Sequence, residues 1–321
     1  MAGLRQSASG LRSTVFRSFS SVSLPESIRI VEVGPRDGLQ NEKSLIPTDK
    51  KVKLVDLLSD CGFSSIEVTS FVSPKRVPQL ADALEVYKSI VKKPGVQYSV
   101  LTPNEKGYQN AVQAGAGEIA IFTSASEVFN QKNLNCSIDE SLSKFDQVVL
   151  AAKEADIRVR GYVSVVVGCP YSGTVSPHFA AEVARELYRK GCYEVSMGDT
   201  TGVGTPKEVI SMLEACKKYI PVEKLAVHMH DTYGQAIANI YASLCAGISV
   251  VDASIAGLGG CPFAPGAAGN ASTEDVYYLC QGLGIKTGLD IDALLRANKF
   301  VTEELGLKNM SRAAAALQLV N

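Results

Sequence analysis

The chain has 321 residues, 46% hydrophobic and 20% charged, with a formal net charge of −1. That length can bury a large core as one big α/β domain or two smaller ones, and a near-neutral chain without a basic block lacks the electrostatic footprint of a nucleic-acid binder. No apolar run approaches the roughly 18 residues of a membrane span, and eight cysteines without a C-x-x-C pair fit free thiols in a reducing compartment.

Residues 1–25 differ in kind from the rest. They carry Arg5, Arg12 and Arg17, seven serines and no acid before Glu26. An Arg-rich, Ser-rich, acid-free start is the composition of an organellar transit peptide. Arg17-Ser18-Phe19-Ser20 looks like a mitochondrial processing site, with cleavage after Phe19, so a mitochondrial matrix location is expected. From Ile28 onward, short β-rich runs alternate with segments of helical period. IRIVEV (Ile28–Val33) precedes a helix at Asp49–Cys61, and SSIEVTSF from Ser64 precedes one at Gln79–Lys92. VQYSVL (Val96–Leu101) leads to Asn104–Ala114, and GEIAIF (Gly117–Phe122) leads through a polar loop to Ile138–Asp156. IRVRGYVSVVV (Ile157–Val167) is paired with Pro177–Lys190, and YEVSMGD (Tyr193–Asp199) with Pro206–Tyr219. LAVHMHD (Leu225–Asp231) is followed by Gln235–Ala246, and VVDASIAG (Val250–Gly257) by Thr273–Gly282. Eight strand–helix pairs predict an α/β fold of the (β/α)8 TIM-barrel type, and the near-continuous apolar strands suit burial on both faces. Ile291–Leu305 predicts an additional C-terminal helical segment. The expected organisation is a transit peptide or disordered tail at 1–25, a catalytic barrel at 26–307 and a tail at 308–321.

A barrel gathers its chemistry at the C-terminal ends of its strands. His228 and His230, two of only three histidines in the chain, end the seventh strand two residues apart. Residues i and i+2 of a strand share a face, so both imidazoles project together. Packed polar residues at a strand end would look the same. Closure, however, sets the first strand beside the eighth, bringing Asp37 and Asn270 to the same rim. One carboxylate, two imidazoles and an amide oxygen suit a divalent cation, Mg²⁺ or Mn²⁺ rather than a closed zinc site. Arg36, beside Asp37, is either a structural ion pair or a guanidinium for a carbonyl becoming an enolate. Glu67 sits inside an apolar run and needs a partner. The fifth strand carries Arg160 and Tyr162. Asp199 either caps the Thr200–Gly204 turn or supports the site. Cys261 lies among glycines in the loop after the eighth strand, where a thiol near a metal can exchange protons. Gln131–Asn135 is a polar loop on the same rim, open to an anionic ligand or to solvent.

VEVGPRDGLQNE, EVTSFVSPK, SMGDTTGVGTP, HMHDTYGQ and SIAGLGGCPFAPGAAGN together resemble the hydroxymethylglutaryl-CoA lyase family over about Ile28 to Leu307. Ile255 stands where the family's loop usually has valine, a change of one methylene. The resemblance implies cleavage of 3-hydroxy-3-methylglutaryl-CoA to acetoacetate and acetyl-CoA, a step of leucine degradation and ketone-body formation. It also implies a TIM barrel with a Mg²⁺ or Mn²⁺ site, an acyl-CoA substrate and a homodimer, without nucleic acid or membrane. By matching motif, Asp37, His228, His230 and Asn270 correspond to metal ligands, and Arg36 to the residue facing the thioester carbonyl. Cys261 corresponds to the loop cysteine needed for catalysis, while Glu67, Asp199 and Glu274 match supporting polar residues. Tyr162 is expected to contact substrate with Arg36, and either Asp37 or His228 would act as base. Two competing readings are a condensing barrel of the isopropylmalate or homocitrate synthase kind and a non-catalytic acyl-CoA-binding barrel. The former typically has Glu-Arg where this loop has CPFAPGAAGN, and the latter would not need Arg36, both histidines and Cys261 on one rim.

Overall fold

The apolar, β-branched runs become eight parallel strands closed into a barrel. In chain order these are β1 (Arg29–Glu32), β2 (Ser65–Ser70), β3 (Gln97–Leu101), β4 (Glu118–Ser124), β5 (Arg158–Ser164), β8 (Glu194–Asp199), β9 (Leu225–Met229) and β10 (Val250–Ala253). A two-residue hairpin, β6 (Gly168–Cys169) with β7 (Gly173–Thr174), lies outside the barrel. The closed order is β1-β10-β9-β8-β5-β4-β3-β2, so β1 pairs with β10 and the rim is continuous. The computed structural model describes residues 23–260 and 269–319.

Helices α1 (Thr48–Ser59), α2 (Ala83–Ser89), α3 (Glu105–Ala114), α4 (Glu127–Leu134), α5 (Ile138–Glu154), α6 (Pro177–Lys190), α7 (Pro206–Cys216), α8 (Ala236–Cys245), α9 (Thr273–Leu283) and α10 (Ile291–Lys299) follow the strands. Their apolar stripes, such as Leu54, Val55 and Leu58 of α1 and Ala180, Ala184 and Leu187 of α6, pack on the outward side chains of the strands. Each fully buried aliphatic side chain contributes on the order of 1.5–3 kcal/mol. Local chemistry sets the ends. Ser137 and Glu140 form a capping box on α5, and Pro177 opens α6.

The barrel interior is unusually polar. Small apolar groups (Val31, Val33, Ala226 and Val250; Leu101, Ala120 and Tyr162) share it with Arg160, which is 1% exposed. Arg160 Nε donates to Glu194 Oε1 at 2.7 Å, and its Nη2 and Nη1 grip the two oxygens of Asp252 at 2.8 and 3.2 Å. A buried charge survives only with partners of this kind.

Several elements differ in detail from expectation, among them α2, which spans Ala83–Ser89 where the sequence predicts Gln79–Lys92. The polar stretch containing Gln131–Asn135 is helix α4, because Ser126 caps its start and Asn135 closes it in the left-handed conformation (φ 57°). The fifth strand stops at Ser164 instead of Val167, since Val165 turns to φ 55°, a costly value for a β-branched residue. After a π-type turn at Phe300–Glu304, the tail contains helix α11 (Arg312–Leu317). Asp275 anchors it by accepting from Ser311 Oγ at 2.8 Å and the Ala313 amide at 2.7 Å.

Candidate metal centre and cavity

The chain leaves β1 through a single π-type turn, Gly34–Gly38, in which the amides of Arg36, Asp37 and Gly38 all bond to the Val33 carbonyl. Such turns are frequent at functional sites. The turn brings Arg36 and Asp37 to the wall of a cavity of about 860 Å³ at the strands' C-terminal ends. It lies hard against the β10 loop: a Cβ on Gly38 would sit 2.8 Å from Leu258 Cβ, so only glycine fits.

His228 and His230 project from the end of β9 into the same space. Their Nε2 atoms lie 3.2 Å apart, and Asp37 Oδ2 lies 3.8 Å from His228 Nε2. One potential ligand atom from each of Asp37, His228 and His230 falls within 4.8 Å of the others. Asn270, held against β9 by a backbone bridge to His230, donates its amide nitrogen to Asp37 Oδ2 at 2.9 Å and to the Leu258 carbonyl at 3.0 Å. Both acceptors fix the amide's orientation, and its Oδ1 is buried without a hydrogen-bond partner. That unused oxygen, beside two imidazoles and a carboxylate, fits a divalent cation with mixed oxygen and nitrogen ligands. Burial alone would raise the Asp37 pKa, but the Arg36 guanidinium and the two histidines beside it hold it below the ordinary carboxylate value.

Arg36 is oriented from two sides. Its Nε and Nη2 lie 2.8 and 2.7 Å from Glu67 Oε2, and Nη1 is 2.5 Å from Asp37 Oδ1. Glu67 also accepts from the Tyr162 hydroxyl at 3.2 Å, and that hydroxyl receives Arg160 Nη1 at 2.7 Å. Burial pushes the Tyr162 pKa well up, so the phenol remains a donor. A guanidinium carries five N–H groups, and donors are left over to face the cavity.

Asp37, Arg36, Tyr162, His228 and His230 all line the cavity. Asp199 and Glu274 do not. Asp199 caps the turn after β8, accepting from the Gly204 amide at 2.8 Å and Thr201 Oγ1 at 3.3 Å, while its carbonyl accepts the His230 amide at 3.3 Å. Glu274 accepts the Ala256 amide at 3.1 Å and Asn298 Nδ2 at 2.7 Å, tying the start of the β10 loop to α10. Cys261 lies outside the described residues; Gly260, just before it, lines the cavity and accepts from Asn41 Nδ2 at 2.6 Å. Lys43, Arg76, Lys132 and Asn133 line the outer part, so half of the Gln131–Asn135 expectation, contact with the rim, holds on a helix instead of a loop.

Sequence reasoning missed both Asp252 and Glu32. Asp252 is 1% exposed on β10, directly beside His228 on β9. Glu32 is fully buried and accepts the Gly34 and Ile255 amides and Thr273 Oγ1, stitching the β1 turn to the β10 loop. The signal was available, because an acid inside an apolar strand must have partners, the rule applied to Glu67.

Residues 27–301 match the model of the HMGL-like family. The mitochondrial hydroxymethylglutaryl-CoA lyase of Bos taurus is 58% identical over 300 residues, covering 93% of this chain and 92% of its own. The crystal structure of hydroxymethylglutaryl-CoA lyase from Pseudomonas aeruginosa superposes with a TM-score of 0.91 at 55% identity, covering 93% of this chain and 99% of its own. A lyase of the same name from Acinetobacter baumannii, solved with coenzyme A and 3-methylmalate, gives 0.87 at 37% identity, covering 91% and 95%.

Proposed function

The chain belongs to the HMGL-like family, and from that premise we propose that it cleaves 3-hydroxy-3-methylglutaryl-CoA to acetyl-CoA and acetoacetate, a retro-Claisen step of leucine degradation and ketone-body formation. The observation that carries this reading is the Asp37–His228–His230 cluster with Arg36 beside it on one cavity wall.

Asp37, His228 and His230, with Asn270 through its unused Oδ1, would hold Mg²⁺ or Mn²⁺. The cation would lower the pKa of the substrate's 3-hydroxyl and fix its orientation together with the carboxylate. Asp37 or His228 takes the hydroxyl proton, both lying in the cluster with Asp37 Oδ2 3.8 Å from His228 Nε2. The 3-oxygen then becomes the ketone of acetoacetate as the bond to the thioester α-carbon breaks. Arg36, gripped by Glu67, presents its remaining donors to the enolate oxygen of the departing acetyl-CoA. Tyr162 contacts the substrate from the neighbouring wall and keeps Glu67 and Arg36 in place. Cys261, outside the described residues, returns a proton to the enolate carbon. Asp199 and Glu274 act at a distance, through the β8 turn and the β10 loop. The outer cavity, with Lys43, Arg76 and Lys132, supplies the positive charge that the phosphates of coenzyme A require.

The proposed organisation keeps the boundaries read above: a leader at 1–25, the catalytic barrel at 26–307 and the tail at 308–321. A homodimer in the mitochondrial matrix completes the reading. The location rests on the leader's composition and on the mitochondrial relatives. Among the described residues no helix is long and apolar enough to cross a membrane. A coupled assay for acetoacetate, with reducing agent and either cation, tests the reaction; no acetoacetate under those conditions sinks it. Sedimentation tests the dimer, and a reporter carrying residues 1–30 tests the address, a cytosolic reporter contradicting it.

A further inference from the structure

Asp252 is buried in the barrel interior and meets the candidate cation site from below. Its Oδ1 is 2.8 Å from Arg160 Nη2; its Oδ2 is 3.2 Å from Arg160 Nη1, accepts from Ser196 Oγ at 2.7 Å, and lies 3.4 Å from His228 Nδ1. The two-pronged guanidinium contact keeps the carboxylate ionised and its plane fixed. Arg160 is itself held by Glu194, which also pairs with Arg29, so this support runs through the interior to the first residue of β1. The strand register sets Asp252 of β10 directly beside His228 of β9.

An imidazole nitrogen facing an anionic oxygen at that distance repels it through its lone pair and attracts it through a proton. The proton of the neutral ring therefore belongs on Nδ1, which leaves the Nε2 lone pair turned toward His230 and Asp37. We infer that Asp252 is a positioning residue for the cation site, fixing the tautomer and ring direction of His228 through a carboxylate–histidine contact braced by Arg160 and Ser196. This rests on the cation reading above. Arrangements of this kind raise ligand basicity, and their loss typically costs about 10–100-fold in metal affinity. The alternative is that Asp252 serves Arg160 alone.

Two measurements decide it. The chain has three histidines, His178, His228 and His230, so ¹⁵N-histidine labelling with two-bond ¹H–¹⁵N correlation, its signals assigned with His178→Gln and His230→Gln variants, reads each tautomer in the unsubstituted chain without disturbing Asp252. His228 protonated on Nδ1 in the unsubstituted chain is the expected result; protonation on Nε2 in the metal-free protein overturns the inference. Mn²⁺ affinity is then measured from the resonance of the free ion. Asp252→Asn should weaken binding about 10–100-fold, and Ser196→Ala, which leaves the Arg160 pair intact, should weaken it less. Unchanged affinity in a folded Asp252→Asn overturns the inference, and where Asp252→Asn folds poorly, unchanged affinity in Ser196→Ala overturns it instead. An unsubstituted chain that binds no Mn²⁺ overturns the cation reading instead, and the tautomer measurement still decides the role of Asp252.

Discussion

Replacing Glu274 by glutamine should make the protein more stable than the unsubstituted chain at pH 8 and leave it no more stable at pH 5. Glu274 is fully buried at the start of α9, and burial raises its pKa from the usual 4.5 to about 7 despite the bonds it accepts from Asn298 and Ala256. A folded-state pKa above the unfolded one means that folding favours the protonated form. Its stabilising contribution is complete below pH 4.5 and is lost as pH rises through 7. The full shift, already net of the bonds that favour the charged form, corresponds to roughly 3 kcal/mol, taking 1.36 kcal/mol per unit. Glu32 acts in the same direction, from 4.5 to about 8, and so steepens the decline of the unsubstituted chain. Glutamine keeps an acceptor for Asn298 and for the Ala256 amide but cannot ionise. Urea midpoints from pH 5 to 9, with chelator present so that the cation cluster adds nothing, should fall for both proteins and fall less for Glu274→Gln, by about 1–3 kcal/mol at pH 8. Parallel curves would refute the reasoning.

Arg36→Lys should lower kcat by about 10²–10³ with KM changed far less, since one ammonium cannot serve Glu67 and Asp37 together while facing the enolate oxygen; kcat within fivefold of the unsubstituted value contradicts this. Arg160→Met strands Asp252 in the interior without a guanidinium partner, leaving Glu194 with Arg29 alone, and should cost about 3–5 kcal/mol in urea unfolding; a loss below about 1 kcal/mol means that the interior pairs carry no such penalty. Cys261→Ser should keep Mn²⁺ affinity and lose turnover, and unchanged turnover removes the thiol from the reaction.

The barrel was legible because parallel strands buried on both faces leave short apolar runs, and these recur with helical segments between them. The site was legible for a related reason. The two-residue spacing of His228 and His230 states a shared face, and closure of eight strands states that Asp37 and Asn270 join them. What stayed hidden depends on pairings that no local pattern records. Asp252 reads as one polar letter in VVDASIAG until the barrel wraps Arg160, 92 residues away, onto it. Helix α4 buries little besides Phe129 and Asn130, so no apolar stripe marks it, and only Ser126 and Asn135 at its ends announce it. The end of β5 turns on the conformation of Val165, which its side chain disfavours and neighbouring bonds impose: Val166 donates to the Gly198 carbonyl, and the Val165 amide to Thr200 Oγ1. Helix α11 is alanine-rich and helix-prone in any context; what docks it is Asp275 on α9.

The most direct measurement is the product balance from 3-hydroxy-3-methylglutaryl-CoA with the chain beginning at Ser20, first with chelator and then with Mg²⁺ or Mn²⁺ restored, thiols kept reduced. Acetoacetate and acetyl-CoA should appear in equal amounts only after the cation is returned. Substrate left intact with either cation present, or products formed equally well under chelation, would contradict a cation-dependent cleavage at the Asp37–His228–His230 cluster.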